Sequence, residues 1–302
     1  MAYKFDPESQ PAEDIIVGWF KGNIIMSSQN LIQIIGSQKS GKSIVSSDLL
    51  IGALTGKETD LGFQFRKPPR DQMIYYYDTE MSEGEFYNRM KKVADLSSNP
   101  GQLEAYNLLN EEYEERLSFI SEQTKNARLV IIDGIVDLCK NFNNEEDSLK
   151  VIGTLKSIAA RNNCPIVVIL HTNPKEKFSM EMKSKGHLGT LLQNKVQSTI
   201  MLQKLSGDIF KMGFKDLRNS GEIREKTYFE YDEDTIYRPS VKTVNQSTQE
   251  VIMNVLNEYK ELTSKELFQY TSKHKNVSWS TVTRAANNLS QVTKENNKYK
   301  LC

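Results

Sequence analysis

The stretch "IIGSQKSGKS" occupies residues 34–43. Two isoleucines run into a loop of two glycines, two lysines and three serines. Gly36, Gly41, Lys42 and Ser43 stand in the spacing Gly-x-x-x-x-Gly-Lys-Ser, between a β-like run and an amphipathic stretch, "GKSIVSSDLLIGALTG". Glycines let such a loop turn tightly and bring backbone N–H groups against phosphate oxygens. A helix that opens there adds positive potential. In this context Lys42 reaches the terminal phosphates and the Ser43 hydroxyl reaches Mg²⁺. The competing reading is a chance glycine loop. The binding stretch comprises Gly36, Ser37, Gln38, Lys39, Ser40, Gly41, Lys42, Ser43 and Ile44, with Lys39 read as a solvated charge rather than a second phosphate ligand.

Other apolar runs surround this loop. "MIYYYD" (73–78), "ARLVIIDG" (127–134), "CPIVVILH" (164–171) and "STIMLQKL" (198–205) are short and mostly rich in β-branched or aromatic residues, as buried strands are. Helical stretches lie between them: "EGEFYNRMKKVADL", "LEAYNLLNEEYEERLSFISEQTK" and "SLKVIGTLKSIAARNN", the last with Ser148 as its cap. Strands that alternate with helices imply a mainly parallel sheet, so the fold class is α/β. The texture changes near residue 230. Residues 1–235 are read as one domain, 236–247 as a linker and 248–302 as a small domain of three helices and a hairpin, a winged-helix order.

Composition narrows the function classes. The 302 residues carry 39 basic and 39 acidic side chains, so whole-chain charge identifies no polyanionic partner. No run of about 18 apolar residues is present, which argues against a membrane helix. The polar start "MAYKFDPESQPAEDII" lacks a signal-peptide core. Cys139, Cys164 and Cys302 are scattered without a CxxC pair, as expected of a cytoplasmic chain without disulfides or a zinc site.

Three strand ends carry candidate chemistry. Asp133 closes "ARLVIID" and is placed to hold Mg²⁺ or to order Ser43. Asp78 and Glu80 follow "MIYYY"; a nucleotide hydrolase needs a carboxylate to orient the attacking water, and Glu80 is favoured over Asp78 and over a solvated turn acid. His171 ends "VVILH" and is either a sensor of the terminal phosphate or an incidental strand-end histidine.

"GSQKSGKS", "YYDTE", "LVIIDG" and "LHTNP", in this order, resemble the RecA-like P-loop ATPases, and within them the RepA/DnaB-type hexameric helicases of plasmids and other mobile elements. The resemblance spans roughly residues 12–235. It implies a RecA-like core, ATP and Mg²⁺ as ligands, a homo-oligomer in the form of a hexameric ring, and DNA as partner. It assigns Lys42 and Ser43 to nucleotide and metal, Glu80 to the catalytic base, Asp133 to the metal-side acid and His171 to the sensor. In "KSKGHLGTLLQNKVQSTIMLQK" it implies a glycine-containing loop before a strand. Members of this group often carry a lysine and an arginine one residue apart that reach a neighbouring subunit. Here Lys215 and Arg218 are separated by two residues in "FKDLRNSG". The same core serves recombinases and ATP-switched regulators, which are the alternative readings.

The small domain offers its own contacts. In "SWSTVTRAANNLS" the side chains of Thr281, Arg284 and Asn287 suit phosphates and base edges, and Lys298 in the hairpin suits a backbone phosphate. Trp279 is read as core. A protein-docking module is the competing reading.

Overall fold

The P-loop strand and its neighbours are apolar on both faces, which is why they sit at the centre of a sheet. "LIQIIG" and "ARLVIID" are buried throughout, and "IVVILH" is buried up to His171. Full burial of this kind requires helices on both sides, the condition of a parallel sheet. The computed structural model describes residues 14–97, 99–174, 182–183, 186–205, 208–218, 220–233, 235–240, 248–274, 277–295 and 297–301. It divides the chain into two units, residues 1–239 and 240–302.

The first unit runs β1 (Ile16–Phe20), β2 (Asn23–Ser27), β3 (Leu31–Gly36), α1 (Lys42–Thr55), β4 (Phe63–Phe65), β5 (Met73–Asp78), α2 (Glu83–Leu96), β6 (Leu103–Asn107), α3 (Tyr113–Gln123), β7 (Ala127–Asp133), α4 (Glu145–Asn162) and β8 (Ile166–His171). It continues through β9 (Asn173–Pro174), β10 (Met182–Lys183), α5 (Gly186–Lys195), β11 (Ser198–Lys204), β12 (Ile209–Lys215), β13 (Thr227–Asp232) and β14 (Ile236–Pro239). Nine strands form the main sheet in the order β14-β13-β12-β11-β3-β8-β7-β5-β6. From β11 to β6 every pairing is parallel; β12, β13 and β14 extend the edge antiparallel. The fold is the expected α/β one with a mainly parallel sheet, the His171 strand lying between the P-loop strand and the Asp133 strand.

Alternation along each strand separates two cores. Ile74 and Tyr76 face Val45, Leu49 and Leu50 of α1 and Met90 and Val93 of α2. Tyr75 and Tyr77 face the other side, with Ile120 of α3, Leu155 of α4 and Leu188 of α5. β1, β2 and β4 form a separate three-stranded sheet, seated on the first core by Phe20, whose ring lies 4.4 Å from that of Phe214.

Several sequence expectations are corrected. The long helix expected from Leu103 is strand β6 followed by the shorter α3, because the Tyr106 ring stacks on Tyr77 in the neighbouring strand. Helix α4 begins at Glu145 rather than Ser148; the Asn144 side chain caps it by accepting from Asp147 N–H at 3.0 Å. Residues Gly186–Lys195 form helix α5, not a glycine loop, since Leu188 and Leu192 are buried against the sheet. Residues 236–239 are strand β14, paired with β13, so the part of the linker read at 236–239 belongs to the sheet. Residues 241–247 lie outside the described residues.

The second unit comprises α6 (Thr248–Tyr259), β15 (Glu261–Thr263), α7 (Ser264–His274), α8 (Trp279–Asn287), β16 (Val292–Glu295) and β17 (Lys298–Leu301). The three helices and the terminal hairpin are as expected; strand β15, which joins the hairpin in the order β15-β17-β16, was not. Thr263 and Glu266 form a reciprocal cap at the start of α7, with bonds of 2.8 and 3.3 Å. Val251, Ile252, Leu256, Leu267, Val282 and Tyr299 build its core.

One buried acid joins α1 to the last strand of the large sheet. Asp48 accepts a hydrogen bond from the Tyr237 hydroxyl of β14 and another from Thr59 at 2.7 Å. Burial raises its carboxyl from 3.8 to about 7, against the opposing pull of these two hydrogen bonds. The folded state therefore keeps the proton after the unfolded chain has released it. This contribution is complete below about pH 4 and is lost as pH rises through about 7. Asp48→Asn should flatten the pH dependence of stability between pH 4 and 7, as read by urea denaturation at a series of pH values.

Candidate nucleotide site

Strand register assembles the site. In the parallel pairing Gly36 is level with His171, and Asp78 with Asp133. The P-loop, the histidine and two acids therefore leave the sheet at its carboxyl-end edge, where ligands of open α/β sheets bind. Residues from Lys39 to Ile44, together with Asp78, Glu80, Met81, Asp133 and His171, line one cleft.

The loop geometry follows from its glycines. A Cβ on Gly36 would lie 2.2 Å from Ser40 Oγ and 2.7 Å from the Leu202 carbonyl, so only glycine fits there. Gly41 holds φ at +89° immediately before α1 begins. Lys42 folds back over the loop and donates to the carbonyls of Gly36 at 3.2 Å and Ser37 at 2.7 Å. Burial pushes its ammonium down to about 8, although Asp133 and Glu80 pull in the opposite direction.

The acids have separate tasks. Asp78 is buried, and its Oδ1 accepts from the N–H groups of Glu80 at 3.0 Å and Met81 at 2.7 Å, while Oδ2 accepts from Tyr76. It shapes the turn that presents Glu80. The Glu80 carboxylate lies 3.1 Å from His171 Nε2, and both side chains are partly exposed to the cleft. His171 Nδ1 is buried and has no hydrogen-bond partner among the described residues.

Asp133 is held from one side. Its Oδ2 accepts from Tyr76 at 3.1 Å and pairs with Arg89 at 3.3 Å. Arg89 was not anticipated from the sequence. From α2 it also donates to Ser47 Oγ at 3.0 Å, to Ser46 Oγ, and to the Ser43 carbonyl at 2.7 Å. One guanidinium thus ties the first turns of α1 to the Asp133 strand. An arginine on an amphipathic helix carries no local signal of that role. Lys204, Asp208, Phe210 and Tyr231 also line the cleft and were equally unmarked in the sequence.

Ser43 Oγ and Asp133 Oδ1 have no hydrogen bond among the described residues. Both are hard oxygen donors at the mouth of the P-loop, which suits Mg²⁺. No group of three His, Cys, Asp or Glu side chains is arranged to hold a metal by itself among the described residues.

Lys215 and Arg218 are not brought to this cleft within the chain. Lys215 pairs with Thr199, at the end of the sheet away from the P-loop, and Arg218 donates to the Asn194 carbonyl at 2.5 Å. In the second unit Thr281 bonds the capping Ser278 at 2.8 Å, Asn287 accepts from the Tyr299 hydroxyl at 3.0 Å and Lys298 pairs with Glu261 at 3.1 Å, whereas Arg284 is exposed.

The depressed Lys42 value has a measurable consequence. Below about pH 8 the ammonium stays charged in the free protein. Above it the free protein loses a proton that a bound triphosphate would restore. ATP affinity should fall as pH rises through about 8, with proton uptake on binding in that range. Calorimetry in buffers of differing ionisation enthalpy checks this, and Lys42→Met should abolish the uptake.

No curated protein sequence matches the chain. Among solved structures, the crystal structure of the RadB recombinase is similar at 16% identity and a TM-score of 0.49, covering 71% of this chain and 92% of that one. The family model described as AAA domain matches residues 4–176, a span that contains the P-loop, Glu80, Asp133 and His171 and exceeds half of the 302 residues; this chain belongs to the AAA domain family.

Proposed function

We propose that this protein hydrolyses ATP with Mg²⁺ in the P-loop cleft and uses the cycle as a helicase-like motor on DNA, in the replication of a plasmid, phage or mobile element. The observation that carries this reading is Glu80, held by the Asp78 turn and 3.1 Å from His171, in the same cleft as Lys42 and Asp133. Lys42 would draw away from the Gly36 and Ser37 carbonyls to neutralise charge on the terminal phosphates. Ser43 and Asp133 would hold Mg²⁺, which when bound offsets charge on the phosphate oxygens. Glu80 orients the attacking water and takes its proton. His171 contacts that same carboxylate, so it can register whether the terminal phosphate is present and pass this along the strand end that carries it. The working form is a homo-oligomeric ring of six, in the cytoplasm. Among the described residues no helix is long and apolar enough to cross a membrane. The second unit, read as a winged-helix module, contacts DNA.

Glu80→Gln should keep ATP affinity but slow turnover by about 10²-fold, the scale of a positioned base. Normal turnover in a folded variant would remove Glu80 from that role. Strand displacement stimulated by ATP supports the motor, whereas long filaments on single strands would support a recombinase.

Arg218 is the proposed trans-acting cation, because its planar fork can grip two phosphate oxygens of a neighbour's nucleotide. Its fixed position at the end of the sheet away from its own P-loop agrees with a role outside its own cleft. Arg218→Ala should bind ATP yet hydrolyse little. Mixing it with an excess of Lys42→Ala should restore part of the activity at mixed interfaces. Co-assembly without rescue at any ratio would end the assignment.

A further inference from the structure

Trp279 was expected in the core of the second unit, but the structure leaves it 44% exposed. It is the first residue of α8, and the Phe268 ring stands 5.2 Å behind it at 53°. The indole is therefore fixed on one side and open on the other. It borders a shallow concavity with Ser280, Thr283, Arg284, Asn287 and Asn288. An exposed aromatic surrounded by amides, hydroxyls and a guanidinium is unlike an apolar docking groove, which would be lined by aliphatic side chains.

Charge favours one class of occupant. Residues 240–302 carry nine Lys and Arg against five Asp and Glu, whereas the whole chain balances at 39 and 39. No carboxylate occurs anywhere between Glu266 and Glu295, a stretch that contains Lys273, Lys275, Arg284 and Lys294. A phosphate backbone supplies the counter-charges that this carboxylate-free stretch lacks, and does so along its length.

We propose that this face of α8 binds single-stranded nucleic acid, with an unpaired base stacked on Trp279 and the adjoining phosphate at Arg284. The inference rests on reading the second unit as a DNA-contacting module, and adds to it the strandedness and the stacking residue. A preset indole stacks on any base, so binding would be tolerant of sequence and sensitive to salt. Duplex DNA keeps its bases stacked on each other and has no free face for Trp279.

The protein has two tryptophans, the other being Trp19 in β1. Trp19→Phe in the full chain leaves Trp279 as the only indole emitter, unaltered. Titration with oligothymidylate should quench that emission, and a duplex of mixed sequence should not. With a labelled oligothymidylate, Trp279→Ala should weaken binding at least fivefold, and Trp279→Phe should retain most of the affinity. If the labelled strand binds while Trp279 emission stays constant, or if only duplex quenches it, the stacking proposal is overturned. Deleting residues 248–302 separates the two levels. A loss of DNA affinity without any Trp279 response would overturn the stacking alone. Unchanged affinity and salt slope in the deletion would overturn the DNA-contacting module and the stacking together.

Discussion

The site depends on the register of the parallel sheet. Backbone hydrogen bonds across β3, β8, β7 and β5 hold Gly36 level with His171 and Asp78 level with Asp133. A slip of one residue in any of these pairings would turn a cleft-lining side chain to the opposite face. The register resists slipping because both faces are buried. Ile32 and Ile34 serve one core while Leu31 and Ile35 serve the other, so a one-residue shift would exchange the two sets.

Arg89 places a second demand on that frame. An ion pair with side chains only about a tenth exposed needs further partners to offset desolvation, and both members have them. Tyr76 donates to Asp133 and contacts Arg89, while Ser43, Ser46 and Ser47 accept the remaining guanidinium N–H groups. The network leaves one Asp133 oxygen toward the cleft. It also couples α2 to the start of α1, so a shift of α2 would be felt at the Asp133 carboxylate and at Ser43 together.

The second unit follows a different economy. Its core is small, built around Val251, Ile252, Leu256, Leu267, Val282 and Tyr299, and several polar groups proposed for DNA also serve its fold. Asn287 receives the Tyr299 hydroxyl, and Thr281 completes the cap of α8. Arg284 and Trp279 are both exposed on α8, and they carry the argument for a ligand.

The sequence by itself determined the P-loop, the α/β class, the strand-end acids and the three helices and terminal hairpin of the second unit. These are local properties: glycine spacing, runs of β-branched residues and caps act over a few residues and can be read from them. Tertiary structure decided the rest. β6 looked helical until Tyr106 met Tyr77, and Trp279 looked like core until the other helices filled that space without it. Arg89 lies 44 residues from Asp133 and 13 from Tyr76, so no spacing rule connects them. Their meeting is a product of strand order and helix packing, and such long-range contacts leave no mark on the residues that make them.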